Sequence, residues 1–243
     1  MNIALLTAAG NGTRMHQDIP KQFLHVDNKP IIIHTMEAFQ QHPSIDAIIV
    51  VTLPEWKSVL WAYARQFNIS KLRWVAEGGE TGQDSIFNGL KLLYEECEDP
   101  EEIIVTVHDG NRPMVSEDII SNNLAVFEKC GSAVAAIPCQ EVVFESEDGI
   151  SSHISTEREK LFRTQTPHTY KLTELLEAHN EAKKRGISAT AASCMLMERL
   201  GRETYFSKGS EINLKITTVD DLRIFQALLH TKNDAWIKEY PEN

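Results

Sequence analysis

The chain has 243 residues, 42% of them hydrophobic, enough to bury a full core in one α/β domain with a small excursion rather than in two domains. Its 24 Lys and Arg stand against 35 Asp and Glu, a formal net charge of −11, which argues against a nucleic-acid surface because phosphate backbones are held by clustered cations. Any phosphate site must therefore be a local island of positive charge. The start Met1-Asn2-Ile3 lacks a basic region, and no run of roughly 18 apolar residues occurs, so neither a signal peptide nor a membrane span is expected and the protein reads as cytoplasmic. Cys97, Cys130, Cys139 and Cys194 are widely spaced with no Cys-x-x-Cys, which favours free thiols over a disulfide framework or a zinc site.

The first apolar run, Ile3-Ala4-Leu5-Leu6, predicts a buried parallel strand. It leads into Thr7-Ala8-Ala9-Gly10-Asn11-Gly12-Thr13-Arg14-Met15 and then Pro20-Lys21-Gln22-Phe23. Gly10 and Gly12 let backbone N–H groups turn toward an anion without a Cβ in the way, and Arg14 and Lys21 add fixed positive charge. An ordinary strand-to-helix turn with two solvated cations has the same spelling. The loop is not a dinucleotide fingerprint, since Met15 stands where a third small residue belongs, and it has no Gly-Lys-Ser/Thr of a Walker loop.

Pro30 then opens a helix with Ile32, Met36 and Phe39 on one face, and Ala47–Val51 is the next strand. Pro54 opens a second helix carrying Trp56, Leu60, Tyr63 and Phe67 at core spacing, and Leu72–Val75 is a third strand, ending at Gly78-Gly79-Glu80 with Ser85 beyond. Ile86, Leu90, Leu93 and Cys97 share a helix face. Ile103–Val107 is a strand that runs into His108-Asp109-Gly110-Asn111-Arg112-Pro113. Ser116 caps a helix running to about Lys129 before Gly131, and Ser132–Ile137 is a fifth strand.

Beyond Pro138, the segments Val142–Glu145, Asp148-Gly149 and Ile150–Ile154 predict a β-hairpin with a primed turn, an arm outside the sheet. Helices follow from Thr173 to Arg185 and from Thr190 to Leu200, with Gly186 and Gly201 past their ends. Asn213–Thr217 reads as a last strand, and Thr218 with Asp221 as the capping box of a terminal helix. The alternation predicts an α/β fold, a Rossmann-like, doubly wound, mostly parallel sheet forming one domain over residues 1–243, with a protruding β-arm at about residues 139–160.

Ligands of open parallel sheets sit beyond the carboxyl ends of the strands, and four groups fall there. The first is the glycine loop with Arg14 and Lys21. Gly79, Glu80 and Ser85 either frame a base or ribose or form a plain loop and helix cap. Asp109 either holds Mg²⁺ or pairs with Arg112 as a turn aspartate, and His108 reads as a core or turn histidine. Lys215 is a cation in an otherwise apolar strand, or an edge lysine whose stem snorkels. Together these parts suit nucleotidyl transfer. An acceptor phosphate, with a second pKa near about 6, is already ionised at neutral pH, so the reaction needs alignment and charge neutralisation rather than a general base.

Taken whole, Ala8-Ala9-Gly10-x-Gly12-x-Arg14-Met15 with Pro20-Lys21-Gln22-Phe23 resembles the polyol-phosphate cytidylyltransferases, the 2-C-methyl-D-erythritol 4-phosphate and ribitol 5-phosphate enzymes, in matching order from Leu5 to about Leu222. The resemblance implies CTP and a polyol phosphate as substrates and Mg²⁺ as cofactor. It implies that Arg14, Lys21 and Lys215 are catalytic and that Ala8, Ala9, Gly10, Gly12, Gly79, Glu80 and Ser85 bind the nucleotide. Asp109, Arg158, Thr166 and Lys215 would meet the acceptor, with Asp109 also holding the metal. It further implies a homodimer formed through the arm, so that Arg158 serves a neighbouring subunit's site. Departures cluster: Gly82 replaces an arginine, Val142 a threonine, and Ala191-Ala192 a Thr-Asp, with Thr190 adjacent. Asn213–Thr218 and Pro54-Glu55-Trp56 lean toward the ribitol branch, Ala8-Ala9-Gly10 toward the methylerythritol branch. The competing readings are a different sugar- or polyol-phosphate acceptor, a non-catalytic CTP-binding regulator and, more distantly, a dinucleotide-dependent oxidoreductase.

Overall fold

A computed structural model of the chain describes residues 1–10, 19–187 and 190–231. Strand β1 (Asn2–Ala8) is followed by two short paired segments, β2 (His25–Val26) and β3 (Lys29–Pro30), and then by α1 (Ile31–Gln41). Strand β4 (Ala47–Thr52), helix α2 (Lys57–Gln66), strand β5 (Leu72–Glu77) and helix α3 (Gly82–Glu96) continue the alternation. Strand β6 (Ile104–Asp109), helix α4 (Glu117–Cys130) and strand β7 (Ala133–Pro138) complete the first half. The second half contains β8 (Val143–Glu145), β9 (Ile154–Thr156), β10 (Phe162–Lys171), α5 (Leu172–Lys184), α6 (Ser193–Arg199), β11 (Phe206–Lys208) and α7 (Val219–His230). No helix among the described residues is long and apolar enough to cross a membrane.

Seven strands form one sheet in the order β11-β7-β10-β6-β1-β4-β5, parallel except for β10, which runs antiparallel to both β6 and β7. The central strands are apolar on both faces because both faces are covered. Leu5, Ile49, Val51, Val105 and Val107 pack with Leu90, Leu93, Leu175 and Leu196 on one side. Leu6, Ile48 and Val50 pack with Ile33, Met36, Phe39, Leu60 and Leu124 on the other. Successive strand residues thus alternate between two cores, the period-two pattern of a pleated strand.

Local signals in the sequence fix several helix ends. Ser116 caps α4 by accepting from Ile119 N, and Gly131 ends it at φ +80°, a left-handed conformation that glycine adopts at no steric cost. Thr218 and Asp221 form the expected capping box of α7. The chain adds β4 and β5 on one side of β1 and then crosses to place β6 on the other. The crevice at that reversal, where Thr7 and Asp109 are register partners, is where an open α/β sheet binds ligands.

Four expectations are corrected. Asn213–Thr217 is not a strand: its backbone groups bond to Asn111, Arg112 and Ser210 instead of to a ladder, and the strand of this region is β11, pairing Phe206–Lys208 with Val134–Ala136. The hairpin has no two-residue primed turn. Glu145 pairs with Ile154, and the intervening loop is organised by the Asp148 carboxylate, which accepts from the Ile150 and Ser151 amides and from the Ser146 hydroxyl. The helix after Thr190 begins at Ser193, and Pro54 starts a single 3-10 turn, with α2 proper beginning at Lys57.

His108, His168 and His179 are buried neutral. Burial pushes the His108 imidazole down to about 3 and the His168 and His179 imidazoles to about 4. An unfolded histidine titrates near about 6.5, so below that pH the unfolded chain holds more protons than the folded one and stability falls as pH falls. Urea midpoints measured from pH 7 to pH 4.5 should decline steadily. A midpoint independent of pH across that window would contradict the burial of these rings.

Candidate active site

A cavity of about 500 Å³ opens at the carboxyl ends of β1 and β6, a size suited to a small-molecule ligand. One side of it is lined by Ala8, Ala9 and Gly10 at the end of β1. Gln22, buried in the turn Lys21–Phe23, donates from Nε2 to the carbonyls of Ala8 and Gly10, the latter at 3.1 Å. This holds the two carbonyls toward the protein. Phe23 stacks on Trp56 with ring centroids 4.4 Å apart, which anchors the turn and leaves Lys21, the residue before the two buried anchors, on the cavity wall.

The wall after β5 is built on close approach. A Cβ on Gly78 would stand 2.3 Å from Ala9 Cβ, so glycine is required there for the loop after β5 to meet Ala9, and one on Gly79 would stand 2.3 Å from Asp84 Cβ, so glycine is required there for the loop to fold back against the first turn of α3. Gly79 N donates to Ser85 Oγ at 3.0 Å, and Ser85 Oγ donates to Thr81 O at 3.0 Å. The cap of α3 is Thr81, in a reciprocal box with Asp84, and Ser85 lies buried in the first turn. Glu80, Gly82 and Gln83 line the cavity beside it.

The opposite wall is electrostatic. Asp109 is the last residue of β6, and its carboxylate is bracketed by two cations: Lys215 Nζ at 2.8 Å from Oδ1 and Arg112 Nε at 2.9 Å from Oδ2. Thr166 Oγ1 accepts from Asp109 N at 3.0 Å and lies 3.5 Å from Oδ2. Burial would raise this carboxyl, but the charges and hydrogen bonds of Lys215 and Arg112 outweigh it and hold it well below the usual carboxylate range. It is therefore an anion, an acceptor only, at every pH near neutrality. The pairing with Arg112 expected of a turn aspartate is present, and Lys215 joins it. Behind the carboxylate, His108 Nε2 donates to Arg112 O at 3.2 Å while its Nδ1 has no partner.

Of the residues expected at the site, Ala8, Ala9, Gly10, Lys21, Gly79, Glu80, Ser85, Asp109, Thr166 and Lys215 all line this one cavity. Gly12 and Arg14 lie outside the described residues. Arg158 is elsewhere: it is exposed, bonds Gln140 O at 3.2 Å and pairs with Glu159 at 3.3 Å. Val142 is likewise on the exposed ribbon, whereas Ala191 and Ala192 line the cavity. Gln22, Gln165 and Asn213 are not singled out from the sequence, although Gln22 stands inside the quoted Pro20-Lys21-Gln22-Phe23 stretch and Asn213 begins the quoted Asn213–Thr218 stretch.

Comparison with known proteins places this geometry. Residues 2–231 match the family IspD, 2-C-methyl-D-erythritol 4-phosphate cytidylyltransferase. The ribitol-5-phosphate cytidylyltransferase of Lacticaseibacillus paracasei is 40% identical, over 96% of this chain and 99% of its own length. The 2-C-methyl-D-erythritol 4-phosphate cytidylyltransferase of Clostridium botulinum (strain Okra) is 36% identical, over 94% and 97%. Among solved structures, the 2-C-methyl-D-erythritol 4-phosphate cytidylyltransferase of Thermus thermophilus superposes with a TM-score of 0.75 at 26% identity, covering 95% of this chain and all of that one. The 4-diphosphocytidyl-2C-methyl-D-erythritol synthase of Anaerococcus prevotii shares the fold with a TM-score of 0.80 at 23% identity, covering 95% and 96%. A glycine-framed, cation-edged cavity at the β1/β6 crevice, and a family match over nearly the whole chain, make this protein a member of the 2-C-methyl-D-erythritol 4-phosphate cytidylyltransferase family.

Proposed function

We propose that the protein transfers CMP from CTP to ribitol 5-phosphate, releasing pyrophosphate. The observation that carries the reading is the Asp109 carboxylate held between Arg112 and Lys215, facing a glycine-framed wall that carries Lys21 across one cavity. Ribitol 5-phosphate is preferred as acceptor because the relative at 40% identity is named for it, as is one from Vibrio parahaemolyticus at 37%. Relatives at 36% carry the methylerythritol name as well as the ribitol one, which makes methylerythritol 4-phosphate the second reading.

In this reading an oxygen of the acceptor's phosphate attacks the α-phosphorus of CTP. The new P–O bond forms as the bond to the β-phosphate oxygen breaks, and pyrophosphate leaves with that electron pair. Lys21, with Arg14 from outside the described residues, neutralises charge growing on the leaving phosphates, and Lys215 meets charge on the phosphoryl group and the acceptor. Amides of Ala8–Gly10 cradle the triphosphate, while Gly79, Glu80 and Ser85 frame the cytidine. Asp109, permanently ionised, holds Lys215 and Arg112 in place and accepts from acceptor hydroxyls, beside Thr166.

Mg²⁺ fits this donor set as a substrate-borne ion. Among the described residues no three His, Cys, Asp or Glu side chains gather to make a cage. Asp109 lines the cavity and its Oδ1 accepts from Lys215, and Mg²⁺ commonly takes one or two carboxylates and fills its shell with water and phosphate oxygens. Bound there, the ion would add neutralisation of the phosphate charge. The exposed apolar side chains of the ribbon, Val142, Phe144 and Ile154, support a homodimer in which Arg158 reaches the partner's cavity. A cytoplasmic location accords with such nucleotide chemistry.

Pyrophosphate release with CTP and Mg²⁺ should occur with ribitol 5-phosphate and be far weaker with methylerythritol 4-phosphate. Lys21→Ala should lower the rate about 100- to 1,000-fold. Preference for the methylerythritol acceptor would overturn the acceptor assignment, and no release with either would overturn the transfer itself. The pH profile of kcat/KM should show one rising limb near about 6, set by the acceptor phosphate. Asp109→Asn should lower the rate without moving that limb, whereas disappearance of the limb in this variant would make Asp109 a general base.

A further inference from the structure

The segment that carries Lys215 belongs to no strand, yet it presents the ammonium 2.8 Å from Asp109 Oδ1. Two buried carboxamides hold it on the side before Lys215. Asn213, fully buried, donates from Nδ2 to Thr166 O at 2.9 Å and to Gln165 Oε1 at 3.3 Å. Gln165 grips Ser210 at both ends, donating from Nε2 to Ser210 O at 2.8 Å and accepting at Oε1 from Ser210 N at 3.1 Å. The backbone makes room for this: a Cβ on Gly209 would stand 2.6 Å from Gln165 Oε1 and 3.1 Å from Ala136 O. On the other side of Lys215, Ile216 N donates to Asn111 O at 2.9 Å.

We propose that Gln165 and Asn213 are positioning residues for the transfer, fastening residues 209–215 to the end of β10 and thereby setting the distance between Lys215 and Asp109. The inference rests on the cytidylyl-transfer reading of the same cavity. Two features separate this clasp from ordinary packing. Residues 165 and 166 of β10 serve both partners at once, since Thr166 Oγ1 accepts from Asp109 N while Thr166 O and Gln165 Oε1 accept from Asn213. Arg112 closes the circuit, bonding Asp109 Oδ2 through Nε and Asn213 O through Nη1 at 2.7 Å. Asn213 Oδ1 also stays buried with no partner, a cost that an apolar residue sealing the segment would not carry.

The test compares Asn213→Ala with wild type, each with and without Lys215→Ala, by amide hydrogen exchange over residues 209–217 and by kcat and KM for CTP in pyrophosphate release. Gly209→Ala, which presses on Gln165 from the backbone, is the second variant should Asn213→Ala fold poorly. Exchange over the segment should quicken, and kcat should fall about 100-fold, the effect of displacing a reacting group by roughly 1 Å, with KM for CTP unchanged. In the Lys215→Ala background the same change should cost no more than about twofold, because its effect runs through a residue already gone. A repeated loss of about 100-fold there, or faster exchange with kcat intact, would overturn the positioning role. A wild-type enzyme releasing no pyrophosphate with either polyol phosphate would remove the transfer reading and this role with it, while the exchange data would still report the clasp.

Discussion

The site depends on one largely buried anion. Asp109 sits at the end of β6 with a cation on each oxygen, and three separate segments meet through it: the strand itself, the turn that carries Arg112, and the segment that carries Lys215. A buried carboxylate costs several kcal/mol in lost hydration and persists only when paired and hydrogen-bonded, on the order of 3 to 5 kcal/mol being lost when one partner is removed. Here the pairing does more than repay desolvation. It keeps two cations of like sign close together at the cavity wall, where they would otherwise repel, and it does so in a chain whose net charge is −11. The cations that a phosphate ligand needs are thus concentrated in one place against the overall field.

The fold supplies the rest of the geometry. Crossing from β5 back to β6 on the far side of β1 leaves the ends of β1 and β6 as neighbours with a crevice above them, and the antiparallel β10 brings Gln165 and Thr166 up to the same crevice from the opposite direction. Parallel strands alone deliver only residues at their carboxyl ends. The reversed strand adds a run of polar side chains that passes beside the carboxylate, and this is what lets a segment with no ladder hold a fixed position. Glycines do the corresponding work on the wall after β5, where Gly78 lets the loop after that strand touch Ala9.

Most of the sheet and its helices are legible in the sequence because their signals are local: uninterrupted apolar runs for β1, β4, β6 and β7, and capping residues such as Ser116, Gly131 and Thr218. The cavity wall was legible through glycines and cations directly after strands, and through the family resemblance that the comparisons bear out. What escaped has a common cause. Asn213–Thr217 is apolar enough to look like a strand, but its partners include the side chain or backbone of Asn111, Arg112, Gln165 and Thr166, all more than forty residues away in sequence and without periodicity. The hairpin turn failed for a related reason: Asp148 satisfies the loop amides through its side chain, so Asp148-Gly149 no longer forces a tight turn. Gln22 was passed over because a glutamine beside a lysine carries no pattern; only the fold shows the carbonyls it holds.

In the proposed transfer, Lys215, held by Asp109, acts on the transition state rather than on the binding of CTP. Single-turnover formation of the CDP-polyol, measured for Lys215→Met beside the calorimetric affinity for CTP and Mg²⁺, separates the two. The affinity should change little while the rate of the chemical step falls about 100-fold or more. A CTP affinity that collapses while bound substrate still reacts at the wild-type rate would contradict it.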